Sequence, residues 1–224
     1  MSKAFNAPIG WAVPADVATI DALVAEMMAA PVDEKSHRWA VENTAAFGRV
    51  KDKWGKLSNM ANGLSFVDPV TGLHWGSSEA WYQAQRFPED PAHQRAIMKA
   101  GHAFLAKETA YQKIATSRAD WKRVKVEMMA RALVLKATNP AFVAELDATG
   151  GMAIVEKSWR DAFWGAKPVD GAAEGDKNGA YIGANVLGQL EMRLREAIGR
   201  LLEKQQLQRP TPSRGGGMAG ALRG

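Results

Sequence analysis

Apolar side chains recur at helical spacing along most of this chain, and this periodicity limits the possible folds more than any other feature. In residues 15–29, apolar side chains at i, i+3, i+4 and i+7 follow Pro14 and Asp16, which are typical helix start signals. A helix is also expected over 79–87, where Ser77 is a good N-cap. Similar patterns predict further helices over 91–100, 103–115, 121–138, 140–147 and 185–205.

Extended structure is predicted at only three places, and each run is short. The runs 64–67 and 73–75 are joined by Asp-Pro-Val-Thr-Gly, which has turn chemistry and predicts a β-hairpin. A third run, 152–156, follows a Gly-Gly break and is expected to be a strand. We therefore expect one α+β domain that is mostly helical and has a small β-sheet.

Two stretches of the chain show little helical periodicity. Residues 32–46 are polar, and we expect them to be part-helical. Residues 165–183 are rich in Gly and Ala, which suggests an ordered loop.

Asp120 is expected to act as the N-cap of the helix that starts at residue 121.

Composition divides the chain into three parts. We expect a helical extension over 1–46, the α+β domain over 47–205 and a disordered basic tail over 206–224. Eight Trp and seven Phe residues supply enough apolar area for a core. Residues 209–224 hold three arginines and no acid, so they contribute +3 of the net charge of +5. This tail is either an untethered terminus or a weak, salt-sensitive contact to nucleic-acid phosphates.

Several function classes are excluded because the residues that they need are missing. The chain has no cysteine, so it forms no disulfide or thiolate metal site, and it fits a reducing, cytoplasmic compartment. Walker-type phosphate loops, nucleophile elbows and HExxH motifs are absent, and the four histidines lack metal-ligand spacing. No apolar run approaches the ~18 residues that span a membrane, and the N-terminus does not resemble a signal peptide. We therefore expect no metal, no cofactor and no membrane association.

The segment 76–87 is the most informative candidate for chemistry. On the predicted helix, Glu79, Tyr82, Gln83 and Arg86 share one face. Such a face either lines a polar pocket or lies in solvent, where Glu79 and Gln83 would contact only each other. Spacing alone favours the solvated face.

A second candidate acid, Asp161, lies among aromatic residues just before a Gly-rich stretch. An Asp before a turn is common, so this signal is weak by itself. Most of the tryptophans are expected in the core, but one or two could stack on a planar base. The tryptophans spread over the domain are Trp54, Trp75, Trp81, Trp121, Trp159 and Trp164.

Five segments follow one another in a specific order along the chain. They are Gly-Lys-Leu-Ser-Asn-Met at 55–60, Trp-Gly-Ser-Ser-Glu-Ala-Trp-Tyr-Gln-Ala-Gln-Arg-Phe at 75–87, Asp-Trp-Lys-Arg-Val-Lys-Val-Glu-Met-Met at 120–129, Asp-Ala-Phe-Trp-Gly at 161–165 and Asn-Val-Leu-Gly-Gln-Leu-Glu-Met-Arg-Leu-Arg at 185–195. In this order they resemble the motifs of the NADAR superfamily, the YbiA-like N-glycosidases. The resemblance covers about residues 47–202. Any one motif is modest, whereas five in the right order are specific.

The resemblance implies hydrolysis of an N-glycosidic bond between a ribose and a base-like amine. Two substrate classes are associated with the family: phosphorylated ribosylaminopyrimidine intermediates of riboflavin synthesis, and ADP-ribose, including ADP-ribose attached to guanine in nucleic acid. The implied partner is therefore a small-molecule nucleotide or an ADP-ribose-type substrate. The alternative is a non-catalytic module that senses ADP-ribose or NAD, although a pure binder has no need for two acids near the sugar.

The chemistry of this bond suggests roles for the two acids in the matched segments. Positive charge develops on the ribose in the transition state, and the departing nitrogen needs a proton. Glu79, in the first turn of its helix, is expected to be ionised and to stabilise that charge. Asp161, whose aromatic neighbours should raise its pKa, is expected to be the general acid, but the two roles could be exchanged.

Further residues of the matched region are candidates for contact with the substrate. They are Arg49, Ser58, Asn59, Tyr82, Gln83, Arg86, Trp121, Trp164, Gly165, Lys177 and Asn185. Amide and phenol groups are expected to hydrogen-bond the sugar or base, Trp121 or Trp164 to stack on the base, and the cations, with Arg118, to bind phosphate. Arg49 stands where many relatives have a lysine, and guanidinium is a poor nucleophile. Either Lys177-Asn178 or Asn185 occupies the asparagine position of the family.

Overall fold

The computed structural model describes residues 4–207 of the 224-residue chain, and this part is mostly helical. Its helices are α1 (Val17–Met27), α2 (Ser78–Ala84), α3 (Pro91–Met98), α4 (Ala103–Tyr111), α5 (Trp121–Lys136), α6 (Pro140–Ala148) and α7 (Val186–Leu207). Its strands are β1 (His37–Ala40), β2 (Thr44–Phe47), β3 (Phe66–Val67), β4 (His74–Trp75), β5 (Ala153–Glu156), β6 (Lys167–Val169) and β7 (Ala180–Gly183). The predicted α+β class is confirmed. Each described helix is too short or too polar to cross a membrane.

Helix α5 lies at the centre of the fold, where it contacts α1, α2 and α7. Its residues 132–135 are completely buried, so the apolar surface of this helix has partners on more than one side. Fully burying a side chain such as Leu133 stabilises the folded state by about 2 kcal/mol. Because α2 packs directly on α5, this core also holds α2 in place.

The predicted hairpin and the helix that follows it are confirmed. Strand β3 pairs antiparallel with β4, with Phe66 opposite Trp75. Ser77 then acts as the N-cap of α2, since its Oγ accepts the N–H of Ala80 at 3.2 Å. Every residue of α2 is buried, so this short helix has no solvent-exposed face.

The remaining strands join parts of the chain that are far apart in the sequence. Strands β1, β7 and β6 form an antiparallel sheet, and β2 pairs in parallel with β5. The expectation of part-helical structure over 32–46 is wrong, because β1 and β2 occupy this stretch with only a 3₁₀ turn between them. The expectation of a loop over 165–183 is wrong as well, because it contains β6 and β7. Local patterns could not predict these strands in 32–46 and 165–183, because the residues that pair are far apart in the sequence, as His37 and Gly183 are.

Several helix ends also differ from the prediction, and α2, for example, ends at Ala84 and not at Phe87. Helix α4 ends at Tyr111, and the 3₁₀ turn Ile114–Thr116 replaces its predicted last residues. Asp120 occupies the N-cap position of α5, but its side chain makes no capping hydrogen bond. Its carboxylate pairs instead with the guanidinium groups of Arg118 and Arg123. Both carboxylate oxygens of Asp120 take part in these ion pairs.

The N-terminal part of the described chain packs against the rest of the fold. The helix predicted over 15–29 is confirmed as α1, which contacts α5 and α7. Asp147 of α6 accepts the backbone N–H groups of Phe5 at 2.7 Å and Ala7 at 3.2 Å. At the other end, α7 continues to Leu207, and the rest of the predicted tail lies outside the described residues.

Candidate active site

A cleft of about 230 Å³ lies between α2, α4 and the segment that follows β5. Its lining residues are Asn59, Met60, Glu79, Tyr82, Gln83, Arg86, Lys107, Tyr111, Met129, Glu156, Ser158, Asp161, Trp164 and Leu187. They come from segments that are widely separated in the sequence, and the packing of α2 on α4 and α5 brings several of them together. Among residues 4–207, no group of three His, Asp or Glu side chains is placed to hold a metal ion.

The polar face of α2 lines this cleft and does not lie in open solvent. Glu79 and Gln83 are both almost completely buried, and Gln83 Nε2 donates to Glu79 Oε1 at 2.9 Å. Arg86 Nε donates to Gln83 Oε1 at 2.7 Å, which fixes the orientation of the amide between them. Lys107 Nζ lies 3.7 Å from Glu79 Oε1 and supplies a partner charge. The solvated-face interpretation is therefore wrong, although the Glu79–Gln83 contact that it includes is present.

An aromatic wall lies beside the polar face. The Arg86 guanidinium lies over the Trp121 ring at 4.4 Å, and the Tyr82 ring contacts both Trp121 and Trp164. Trp164 lines the cleft, whereas Trp121 lies behind Arg86 and Tyr82. Burial raises the pKa of Tyr82 well above its ordinary value, so its phenol stays protonated and can donate a hydrogen bond. Of the two tryptophans, only Trp164 is placed to stack on a ligand in the cleft.

Asp161 lines the same cleft as Glu79, on the segment opposite α2. Its Oδ1 accepts the backbone N–H groups of Phe163 and Trp164, each at 2.9 Å. Its own N–H donates to Ser158 Oγ at 3.0 Å. These hydrogen bonds fix the position of the Asp161 carboxyl group in the cleft.

A third carboxyl group in the cleft, Glu156, is absent from the sequence-based predictions. It is the last residue of β5, and its N–H donates to Asn185 Oδ1 at 3.0 Å. Burial raises the pKa of Glu156 to about 7, and the negative charges of Glu79 and Asp161 act in the same direction. Its signal in the sequence was an acid at the end of the predicted strand 152–156, next to the segment that carries Asp161.

The segment after the 3₁₀ turn Gly55–Leu57 brings Asn59 to the cleft. Asn59 Oδ1 accepts the Ser78 hydroxyl at 2.8 Å, and its backbone carbonyl accepts the N–H of Glu79 at 3.3 Å. Ser58 does not line the cleft, and its Oγ accepts the N–H of Met60 at 3.1 Å. Ser58 therefore shapes the segment that presents Asn59.

Four other predicted contact residues lie away from the cleft. Arg49 lines a separate depression of about 350 Å³ together with Trp159, and Lys177 lies on an exposed loop. Asn185 is completely buried, and its Nδ2 donates to the Ile154 carbonyl at 2.8 Å. Gly165 lies against β5, where an added Cβ would be 2.5 Å from the Glu156 carbonyl oxygen.

The structure therefore does not bring these four residues to the cleft. Arg49 and Lys177 are not placed to bind a phosphate there. Asn185 and Gly165 act on the position of Glu156, because one binds its N–H and the other permits the close approach to its carbonyl.

The chain matches the family model described as the NADAR domain over residues 46–199. It is 32% identical to N-glycosidase YbiA of Escherichia coli K12 over 153 residues, which cover 68% of this chain and 86% of that protein. It is 33% identical to an N-glycosidase of Nostoc punctiforme over 165 residues, which cover 71% of this chain and 95% of that protein.

A riboflavin biosynthesis protein of Vibrio vulnificus is 36% identical over 131 residues, which are 58% of this chain but only 32% of that protein. The NMR structure of E. coli YbiA is similar with a TM-score of 0.58 and 27% identity, covering 82% of this chain and 99% of that one. These similarities in sequence and in structure agree with the order of the five motifs. The chain therefore belongs to the NADAR domain family.

Proposed function

We propose that this protein hydrolyses the N-glycosidic bond between a ribose and a base-like amine, with the ribose bound in the cleft. The observation that carries this proposal is the presence of three carboxyl groups, Glu79, Glu156 and Asp161, around one small cleft. In the reaction the C1–N bond breaks, the nitrogen takes a proton, and water adds its oxygen to C1 and gives up a proton, which replaces the one that the nitrogen took. The products are the free ribose hemiacetal and the free amine. The N-glycosidase names of the relatives support this reaction class.

Glu79 is the residue best suited to stabilise the positive charge that develops on the ribose. Its carboxylate is buried, and its Oε1 is held by the amide of Gln83 and faces Lys107. A fixed negative charge in a site with little water stabilises a transition-state cation more strongly than a mobile, solvated one. Its second oxygen can orient the attacking water. This role is the one that the sequence suggested for Glu79.

Glu156 is the better candidate for the general acid, in place of Asp161. Because its pKa is raised to about 7, Glu156 holds a proton near neutral pH and can release it to the departing nitrogen. Asp161 is held by two backbone N–H groups and supplies a further carboxyl group beside the ribose. The raised pKa of Glu156 depends in part on Glu79 and Asp161, so the three groups act together.

The size of the cleft limits how much of the substrate it can enclose. At about 230 Å³ it is smaller than the roughly 300–1,000 Å³ typical of pockets that enclose a drug-sized ligand. We infer that it takes the ribose and the reacting nitrogen, with Trp164 beside the base and Arg86 available to an anionic group. Ribosylaminopyrimidine phosphates and ADP-ribose conjugates of guanine both contain such a ribosyl–nitrogen bond.

The test is to incubate the purified protein with a ribosylaminopyrimidine phosphate and, separately, with ADP-ribosylated guanosine, and to separate the products by HPLC. Release of the free amine from either substrate supports the proposal and identifies the substrate class. Binding of ADP-ribose without turnover of either substrate would instead support the non-catalytic sensor.

A matched pair of variants then tests the role of Glu79. We expect Glu79→Gln to keep the fold and bind product but to lose at least ~100-fold in kcat, the usual scale for a lost electrostatic group. The control is Glu108→Gln, which makes the same change at an exposed position on α4. Wild-type turnover by Glu79→Gln would show that the catalytic assignment is wrong.

A further inference from the structure

One lysine in the centre of the fold has no role in the reaction as described so far. Lys136, the last residue of α5, is 1% exposed, and its Nζ lies 4.3 Å from the centre of the Phe142 ring. Lysine is almost never buried in this way unless its charge is paired, because removing an ammonium group from water is costly. Its position therefore needs a compensating interaction.

The main compensation comes from the backbone next to the cleft. Lys136 Nζ donates to the carbonyl oxygens of Leu57 at 2.8 Å and Ser58 at 2.9 Å. These are the two residues directly before Asn59, which lines the cleft and accepts the N–H of Glu79 through its carbonyl. A short chain of contacts thus runs from Lys136 through this segment to the first turn of α2.

The charges of three carboxyl groups on three other elements favour the charged form of Lys136: Glu191 on α7, Glu145 on α6 and Glu156 on β5. Glu191 is completely buried, and the described residues offer no hydrogen-bond partner to either of its carboxyl oxygens. Burial lowers the pKa of Lys136 to about 7 and raises the pKa of Glu191 well above its ordinary value. The charge of Lys136 in turn lowers the pKa of Glu156, against the larger effect of burial.

We propose that Lys136 is a positioning residue of the active site, which holds the Leu57 and Ser58 carbonyls so that Asn59 supports Glu79. This inference rests on the proposed function, since it assigns Lys136 to the same reaction. Lys136 does not line the cleft and touches no reacting atom. Its effect on catalysis is therefore indirect, through Asn59.

The test compares Lys136→Met, which keeps an unbranched chain but removes both donors and the charge, with Lys122→Met at an exposed position of the same helix. We expect Lys136→Met to lower kcat about tenfold or more, with Lys122→Met unchanged, because misplaced catalytic groups lose transition-state stabilisation. KM should stay close to its wild-type value, because a misplaced Glu79 carboxylate is missed mainly in the transition state and less in substrate binding.

Removing Lys136 could also act only by removing a positive charge that stabilises the buried carboxylate of Glu191. The double variant Lys136→Met/Glu191→Gln removes that problem and keeps the protein testable if Lys136→Met does not fold. A folded double variant with low kcat and a wild-type KM supports the proposal. A double variant with wild-type kcat shows that Lys136 serves only to balance Glu191, which overturns the proposal.

A second readout does not need turnover. Hydrogen exchange of the Glu79 backbone N–H, which donates to the Asn59 carbonyl, measures how firmly this segment is held in wild type and in the double variant. Faster exchange of this N–H in the variant supports the proposal, and an unchanged rate overturns it. If wild-type protein cleaves neither substrate, the proposed function fails, but this comparison still decides whether Lys136 holds the segment that carries Asn59.

Discussion

Replacing Glu156 with glutamine should make the folded protein more stable at neutral and alkaline pH. In the folded state, burial raises the pKa of Glu156 from 4.5 to about 7, with smaller contributions from the charges of Glu79 and Asp161. In the unfolded chain the carboxyl is solvated and has its ordinary pKa. The folded protein therefore binds a proton at Glu156 that the unfolded chain has lost, over the range between these two values.

The sign and size of the effect follow from this difference. Below pH 4.5 the carboxyl is protonated in both states, and wild type keeps the full stability that this group allows. As the pH rises through 7, that contribution is lost, because the folded state must then hold a buried charge. A shift of about 2.5 units corresponds to about 3 kcal/mol at about 1.4 kcal/mol per unit. Glu156→Gln removes this loss, because an amide does not ionise.

The measurement is urea or thermal unfolding of wild type and variant from pH about 4 to pH about 9. The difference in the free energy of unfolding should rise between pH 4.5 and 7 and then stay constant, with the variant about 3 kcal/mol more stable. In a chain of this size, that difference corresponds to roughly 6–12 °C in Tm.

The control is Glu34→Gln, which makes the same substitution at an exposed position. A stability difference between Glu156→Gln and wild type that does not change with pH would refute the argument that Glu156 is held protonated in the folded protein. We also expect the stabilised variant to lose turnover, because the amide cannot donate the proton that the departing nitrogen needs. Gain of stability with loss of activity is the expected signature of a strained catalytic group.

Two further predictions concern the residues around Glu156. Asp161→Asn keeps an oxygen that can accept the Phe163 and Trp164 N–H groups, so it should fold normally while kcat, measured by HPLC, falls at least ~10-fold. A D161N protein with unchanged kcat would remove Asp161 from the mechanism. Asn185→Ala should lower the free energy of unfolding by about 2–4 kcal/mol, because it leaves the Glu156 N–H and the Ile154 carbonyl unpaired in the interior. Urea unfolding measures this loss, and a change below about 0.5 kcal/mol would contradict it.

Much of the local structure could be predicted because its causes are local. The turn at 68–72 closes the β3–β4 hairpin, and Ser77 starts α2 through a contact only three residues long. The spacing of Glu79, Tyr82, Gln83 and Arg86 on one helical face depends only on the geometry of the helix. The sequence could also order the five motifs, and that order was enough to indicate the family.

The surroundings of those residues depended on parts of the chain that are far away. Whether the polar face of α2 is solvated or buried was decided by α4, α5 and the segment after β5, which cover it. In the folded protein Arg49 lies away from the cleft, and Asn185 donates a hydrogen bond to the Ile154 carbonyl of β5.

Glu156 is the clearest example of a site residue whose properties the sequence alone could not predict. By its position in the sequence it is simply an acid at the end of a short strand. Its raised pKa results from burial and from the charges of Glu79 and Asp161, which only the tertiary structure brings near it. Helix starts, turns and side-chain spacing are determined by interactions within a few residues, so the sequence alone determines them. Proton affinity and pocket shape depend on desolvation and on long-range contacts, and only the folded structure decides these.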